Sequence, residues 1–389
     1  MKKKHPGRRI LVLLPIGCFA LIALILLVNW ISMLLLGPRA AFTDRTDLYW
    51  EADLGTIPPG QEDPEPTRIS DPIGTYTLPG VLSVEDAVEV DRGWIILDRR
   101  IGKLHFIDNQ SGLKKSVGGE GPGPGELRHP VALTVGDSLL WVLNQRGRSL
   151  DRFSLQGEFQ DRRDLRGGGC LVGLAEELHF LPQEGLISLR VCPATLPGPG
   201  TAFLERLGPD GTLTVEVALP LGERGSRKLH LLRQPTASAS HGTLYLGTWD
   251  APCIAVLPSA VGTTRGISHY RCLPDFERAK APEAERSRIA SRFQRLSDLG
   301  FLPVEVPERF PWFDKVFSIS GGLVVRRILT EEERDLVLLS PGGLPQVSDR
   351  VFPANTFVGE ETVLTSRDLL QGTEIQIYPN PWRRGSSRQ

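Results

Sequence analysis

Ala87-Val88-Glu89-Val90, Trp94-Ile95-Ile96-Leu97 and Leu104-His105-Phe106-Ile107 recur as Ala132-Leu133-Thr134-Val135, Leu140-Trp141-Val142-Leu143 and Leu150-Asp151-Arg152-Phe153, displaced by 45 to 46 residues. Each run is short, rich in β-formers and bounded by Gly, Asp or Asn, so each reads as a strand of an antiparallel sheet. A turn and one further strand follow each set, at Asn109-Gln110-Ser111-Gly112 in the first and Leu155-Gln156-Gly157 in the second. Four strands repeated at this period are the size and strand count of a propeller blade.

Working outward, the same template fits Thr236–Ser240, Thr243–Gly247 and Cys253–Leu257, and then Val316–Ile319, Leu323–Arg326 and Leu336–Leu339. A last copy holds only three strands, Thr356–Val358, Thr362–Thr365 and Glu374–Tyr378, before Pro379-Asn380-Pro381. The spare strand Ile73–Leu78 at the other end is expected to supply its fourth, closing the ring with both termini. Residues 167–222 are the least regular, but Ala202–Gly211 is a strand entering a turn like that after a third strand. Counting it gives an all-β, six-bladed β-propeller over 73–382. Within it Ile289, Phe293, Leu296 and Leu299 are spaced for one inserted amphipathic helix, about 279–299.

Before the ring, Ile10–Gly37 carries no charge, enough to cross a hydrocarbon core of about 30 Å at about 1.5 Å per residue. Lys2, Lys3, Lys4, Arg8 and Arg9 precede it, while the charges after it are mixed, so the positive-inside bias keeps a basic tail, 1–9, in the cytoplasm and exports the rest. The apolar run of 10–37 is about twice as long as a signal peptide's, which favours an uncleaved transmembrane helix over a cut near Arg39-Ala40-Ala41 or lipidation at Cys18. Residues 38–72, with Pro58-Pro59-Gly60 and Pro64-Glu65-Pro66, read as a Pro-rich stalk, and 383–389 as a disordered tail. The localisation expected is the inner membrane, single-pass, with the C-terminal domain periplasmic or extracellular.

The chain of 389 residues is 40% hydrophobic and 23% charged with a net charge of -1, the composition of a globular protein and not of a polyanion binder. Arg146, Arg148, Arg152, Arg162, Arg163 and Arg166 alternate with acids, as on a solvated strand face, and no nucleic-acid partner is expected. Cys170, Cys192, Cys253 and Cys272 lie in the exported part, where disulfides form. Of three pairings, the local one, Cys170 with Cys192 and Cys253 with Cys272, is favoured against four free thiols. Trp94, Trp141 and Trp249 recur near second strands, which reads as packing between blades.

Gly118-Gly119-Glu120-Gly121-Pro122-Gly123-Pro124-Gly125-Glu126-Leu127, closed by His129-Pro130, is the most distinctive string in the chain. Its Gly121-Pro122-Gly123-Pro124-Gly125-Glu126 core resembles the Gly-Pro-Gly-Glu-aromatic blade linker of bacterial six-bladed propellers related to NHL repeats, with Leu127 in the aromatic's place. The resemblance spans 73 to 379, including the Phe310-Pro311-Trp312-Phe313 entry to a blade; it implies architecture more than activity. A phosphate loop is the other reading of these glycines, but two prolines remove amide donors, no Lys-Ser or Lys-Thr follows, and the next element is a strand.

Relatives of that family include lactonases and lyases with a channel metal, so a lactonase-like or lyase-like enzyme is the alternative function. Glu89, Thr134, Ser240 and Ser318 from innermost strands and Asp86, Asp314 and Asn355 from loops form no recognisable set for Ca²⁺ or Zn²⁺. Cys-x-x-Cys and Gly-x-Ser-x-Gly do not occur, and His105, His129, His179, His230, His241 and His269 are scattered. No catalytic, cofactor or metal residue is therefore named. The function expected is a membrane-tethered binding or scaffolding module for an envelope protein, glycan or small ligand.

Overall fold

The structure is a computed structural model. It describes residues 66–167, 174–192, 201–220, 229–230, 235–248, 252–258, 268–273, 280–284, 286–287, 290–291, 304–305, 308–309, 311, 313–330, 332–340, 344–369 and 372–383. The basic tail, the apolar stretch 10–37, Cys18, Cys170, Trp249, Phe310 and Trp312 lie outside them. So does the stalk up to 65. Among the described residues no helix is long and apolar enough to cross a membrane.

Among the described residues six sheets form the blades, each built on four antiparallel strands running outward from the centre; the third and fifth carry additional edge strands, and Leu229–His230 pairs with Val304–Glu305 in a separate two-stranded sheet. Their innermost strands are Asp86–Val90, Ala132–Gly136, Leu174–Leu181, Pro235–Ser240, Phe313–Ile319 and Asn355–Val358. The irregular third blade is completed by Gly185–Cys192, Thr201–Leu207 and Thr212–Pro220. In the sixth blade Gly74–Pro79 pairs with Gly372–Pro379, Thr75 opposite Gln376, so the first blade strand in the chain closes the last sheet as expected.

The ring is held by the period-two alternation of strands buried on both faces. In the first blade Trp94 and Ile96 face the sixth, against Phe357, Leu364 and Ile375. Ile95 and Leu97 face the second, against Leu133, Leu140 and Val142. The remaining interfaces follow the same plan: Leu143 against Leu178, Leu189 against Ala237, Ile254 against Val325, Val324 against Val363. An apolar cluster thus sits at every blade junction. Trp94 and Trp141 belong to these clusters.

Pro66–Thr67, in the stretch read as stalk, adds a parallel strand beside Gln346–Ser348 of the fifth blade. Ile69 is buried behind it, and its amide donates to Asp349 Oδ1 at 2.8 Å. Of the expected inserted helix, residues 283–284, 286–287 and 290–291 carry helical geometry, and Arg286 N donates to Pro282 O at 3.0 Å. Its apolar residues Ile289, Phe293, Leu296 and Leu299 fall outside the described residues.

Cys253 and Cys272 face each other on the third and fourth strands of the fourth blade and form a disulfide. Cys192 is disulfide-bonded too, while its expected partner Cys170 lies outside the described residues.

Candidate functional site: the channel mouth

Where innermost strands begin, the channel opens into a mouth of about 300 Å³; a second cavity of about 160 Å³ lies alongside it among the innermost strands. Glu177 and Lys315 line both, so their contact divides the channel. Glu177 stands on the third blade's innermost strand and Lys315 on the fifth's; Nζ of the lysine donates to Oε1 of the glutamate at 2.9 Å. The fourth blade lies between them and contributes as well: Thr236 Oγ1 donates to the same oxygen at 2.9 Å and Ala237 N to Oε2 at 2.5 Å. His179 Nε2 is 3.4 Å from Oε2.

Burial works against charge on Glu177, but Lys315, His179 and the Ala237 amide outweigh it and hold the carboxyl down at about 2. Burial likewise disfavours the Lys315 ammonium, yet the carboxylates of Glu177 and Asp86 outweigh it and raise its pKa. Asp86, on the first blade, is pushed up by burial despite the pull of Lys315. Its oxygens accept the amides of Ala87 at 3.1 Å and, from the second blade, Leu133 at 3.0 Å. A side chain reaching for the next blade's amide recurs around the channel: Asp86 to Leu133, Glu177 to Ala237, and Ser238 Oγ to Ser318 N at 2.8 Å.

Glu176, beside this pair, is exposed at the mouth. Burial by the surrounding protein and the neighbouring Glu177 carboxylate push it up to about 7, against the pull of Lys315 and Arg99. The other acids of the mouth are paired: Glu85 with Arg99 at 2.7 Å, Asp314 with Arg326 at 2.6 Å and Arg334 at 2.8 Å.

Arg146 reaches the mouth from the turn between the second and third strands of the second blade. Gln145, Arg146 and Gly147 take φ of 52°, 59° and 77°, and for the first two this left-handed backbone costs on the order of 1 kcal/mol each. The cost is met by a buried network. Asn144 Oδ1 accepts the amides of Gln145 and Arg128, each at 2.8 Å, and its Nδ2 donates to buried Asp151 at 3.0 Å. Arg162 Nε and Nη2 grip Asp151, both at 2.7 Å. Arg146 N itself donates to His129 O at 3.1 Å.

The repeat carries this network in altered form. Asp98, 46 residues before Asn144, accepts the amides of Leu82 and Arg100, and the third-strand residue beside it is His105, with Nε2 3.9 Å away. Arg190, 46 residues after Asn144, reverses the polarity: it donates to Gly147 O at 3.2 Å and pairs with Glu205 at 2.8 Å. Arg162 therefore caps a buried carboxylate, whereas the alternation of charges suggested a solvated face.

Several residues singled out in the sequence lie elsewhere. Glu89 clasps the sixth blade, accepting Glu361 N at 2.9 Å and the Thr362 hydroxyl, to which Trp94 Nε1 also donates at 2.9 Å. Ser240 bonds His241. Thr134 and Ser318 line the lower cavity, while Asp314 and Asn355 line the mouth. His105 is buried against Ser116, and among the described residues His179 is the one histidine that lines either cavity.

Gly121, Pro122, Gly123, Pro124, Gly125 and Glu126 join the first blade's outer strand to the second blade's inner one. Glu126 Oε2 accepts the Gly123 amide at 2.8 Å, and a Cβ on Gly121 would lie 2.0 Å from that oxygen. The chain's own carboxylate thus fills the concavity that a phosphate would need. Arg162 closes the turn by donating to Pro122 O and Glu126 O, and Leu127 plugs the interface beneath it.

Among the described residues no group of three or more His, Cys, Asp or Glu side chains is placed to hold a metal ion. A cation at Glu177 would have to displace the Lys315 ammonium and compete with three further donors, so the channel set does not fit Ca²⁺ or Zn²⁺.

The chain matches no family model and no curated protein. Among solved structures it is similar to a candidate exported protein of Bacteroides fragilis, at 10% identity over 79% of this chain and 94% of that one, TM-score 0.47. It is also similar to a luciferin-regenerating enzyme (11%, 79% and 97%, 0.46) and to the calcium-binding protein regucalcin of Agrobacterium tumefaciens (12%, 81% and 97%, 0.45). At these identities and scores, the likenesses say nothing about the chemistry of this channel.

Glu176, Glu177 and Lys315 were not among the residues marked from sequence. The signal for the two glutamates is a pair of adjacent carboxylates in the largely apolar run Leu174–Leu181, whereas Lys315 stands beside Asp314 in Phe313–Ile319. Glu176 and Glu177 are hidden because residues 167–222 do not align to the repeat, and Lys315 because it stands one residue before the run Val316–Ile319 that the template picks out.

Proposed function

We propose that this protein is a membrane-tethered, extracytoplasmic six-bladed propeller that binds a small polar ligand at the mouth of its channel. The observation that carries this reading is the Lys315–Glu177 ion pair, which sets a protein cation among the channel carboxylates Glu177 and Asp86 that a divalent metal would need. The mouth has the size and mixed polar lining of a small-ligand site. An oxidising compartment suits the Cys253–Cys272 disulfide, and the charge asymmetry around 10–37 supports export of the ring.

Elemental analysis of the detergent-purified full chain tests it. No stoichiometric divalent metal is expected, and Ca²⁺ or Zn²⁺ at one per chain, with thermal stability lost on chelation, overturns the reading in favour of a lactonase-like or lyase-like enzyme. A reporter fused after Gln389 tests the topology, with activity expected only outside the cytoplasm.

A further inference from the structure

The charges of the mouth are matched within the protein with two exceptions. Glu85, Asp314 and Glu177 are bonded to Arg99, Arg326 and Lys315. Arg146 and Glu176 also line the mouth, and among the described residues neither has a hydrogen bond or ion pair through its side chain. They come from neighbouring blades that nearly touch beside them: a Cβ on Gly147 would lie 2.6 Å from Ala175 Cβ. Even so, the two side chains do not pair with each other.

Resting on the reading of the mouth as a ligand site, we propose that it binds a small zwitterion, with the ligand's carboxylate on Arg146 and its ammonium on Glu176. A guanidinium offers a carboxylate two parallel N–H donors. A carboxylate facing water in a confined, partly desolvated mouth is a receptor for an ammonium, and the ligand's charge offsets the repulsion from Glu177. Two opposite charges left separate across a cavity of about 300 Å³ discriminate against an ion of one sign, because it satisfies one group and leaves the other unpaired. The left-handed turn at Gln145 and Arg146 is the device that presents the guanidinium, and Asn144, anchored on Asp151 and Arg162, keeps it in place.

The experiment is calorimetric titration of the full chain in detergent with glycine, β-alanine, γ-aminobutyrate and ε-aminocaproate, beside the amine and the carboxylic acid of matching length. At least one amino acid of this series is expected to bind about tenfold or more tighter than both one-charge analogues, and Arg146→Ala and Glu176→Gln are each expected to weaken it about tenfold or more. Circular dichroism verifies that both variants fold. Equal binding of a one-charge analogue, unchanged affinity in either variant, or no binding by any of the four amino acids overturns the proposal. These failures are separable from that of the broader reading, which is overturned by a stoichiometric metal or by a reporter active in the cytoplasm.

Discussion

Lys315 Nζ and Glu177 Oε1, 2.9 Å apart, join the fifth blade to the third across the channel, passing over the fourth. The contact makes three blades share one charge network, because Thr236 and Ala237 of the intervening blade bond the same carboxylate. Breaking one partner of such a pair strands a buried charge, at a cost of about 3–5 kcal/mol. Lys315→Met is therefore expected to lower stability by that amount in denaturant unfolding, and Glu177→Gln added to it to recover part of the loss. A loss under about 1 kcal/mol in the single variant would show that solvent screens the pair.

Glu176 and Glu177 give opposite pH slopes. Glu176 rises from an ordinary 4.5 to about 7 on folding, so between those values the native chain keeps a proton that the unfolded chain has released, and stability falls as pH rises through this window. Glu177 drops from 4.5 to about 2, and its contribution is lost as pH falls through that lower window. Glu176→Gln is expected to flatten the upper limb and leave the lower one, read from denaturation midpoints across pH. Zwitterion binding is expected to weaken below about pH 7, as Glu176 takes up its proton among Glu177, Lys315 and Arg99.

Gly147 packs on Ala175 at φ 77°. Gly147→Ala meets both a left-handed backbone and a contact at 2.6 Å, and is expected to cost about 1–3 kcal/mol. Because the residue sits between Arg146 and the third blade, ligand affinity is expected to fall with it, measured by the same titration.

The Cys253–Cys272 bridge closes a loop with a separation of 19 residues, for which loop entropy gives about 2–4 kcal/mol. The double Ser variant is expected to lose that much in thermal unfolding. Alkylation of the unfolded chain without reductant is expected to leave Cys192, Cys253 and Cys272 unlabelled.

Ring closure can be tested by shortening the chain. Begun at Ile73, it loses the proposed tether and, of the described residues, the edge strand Pro66–Thr67, the buried Ile69 and the Asp71–Arg350 ion pair, and the ring is expected to stay folded and monomeric. Begun at Gly80, it leaves Gly372–Pro379 as a bare edge, and is expected to oligomerise or unfold in size-exclusion chromatography and circular dichroism.

The blade repeat was legible because each strand buries both faces between neighbours, which writes continuous apolar runs such as Trp94–Leu97 into the chain at a fixed period. The same logic exposed the closing strand, since three strands at one end and a spare at the other leave one solution. Local pairing of Cys253 with Cys272 was legible for a related reason: a hairpin of adjacent strands sets their distance. The mouth was not legible. Glu176 and Glu177 stand on a strand whose place in the repeat is masked by irregular residues before it, and the reach of Lys315 across two blade positions depends on the diameter of the closed ring.

What the sequence by itself determined is therefore the repeat, the six-blade count and how the ends meet, since these follow from local periodicity and from the need to bury every sheet face. Only the tertiary structure decided which charges meet. Closing the ring brings Asp86, Glu177 and Lys315, far apart along the chain, onto one axis, and there burial makes each carboxylate's protonation depend on residues contributed by other blades.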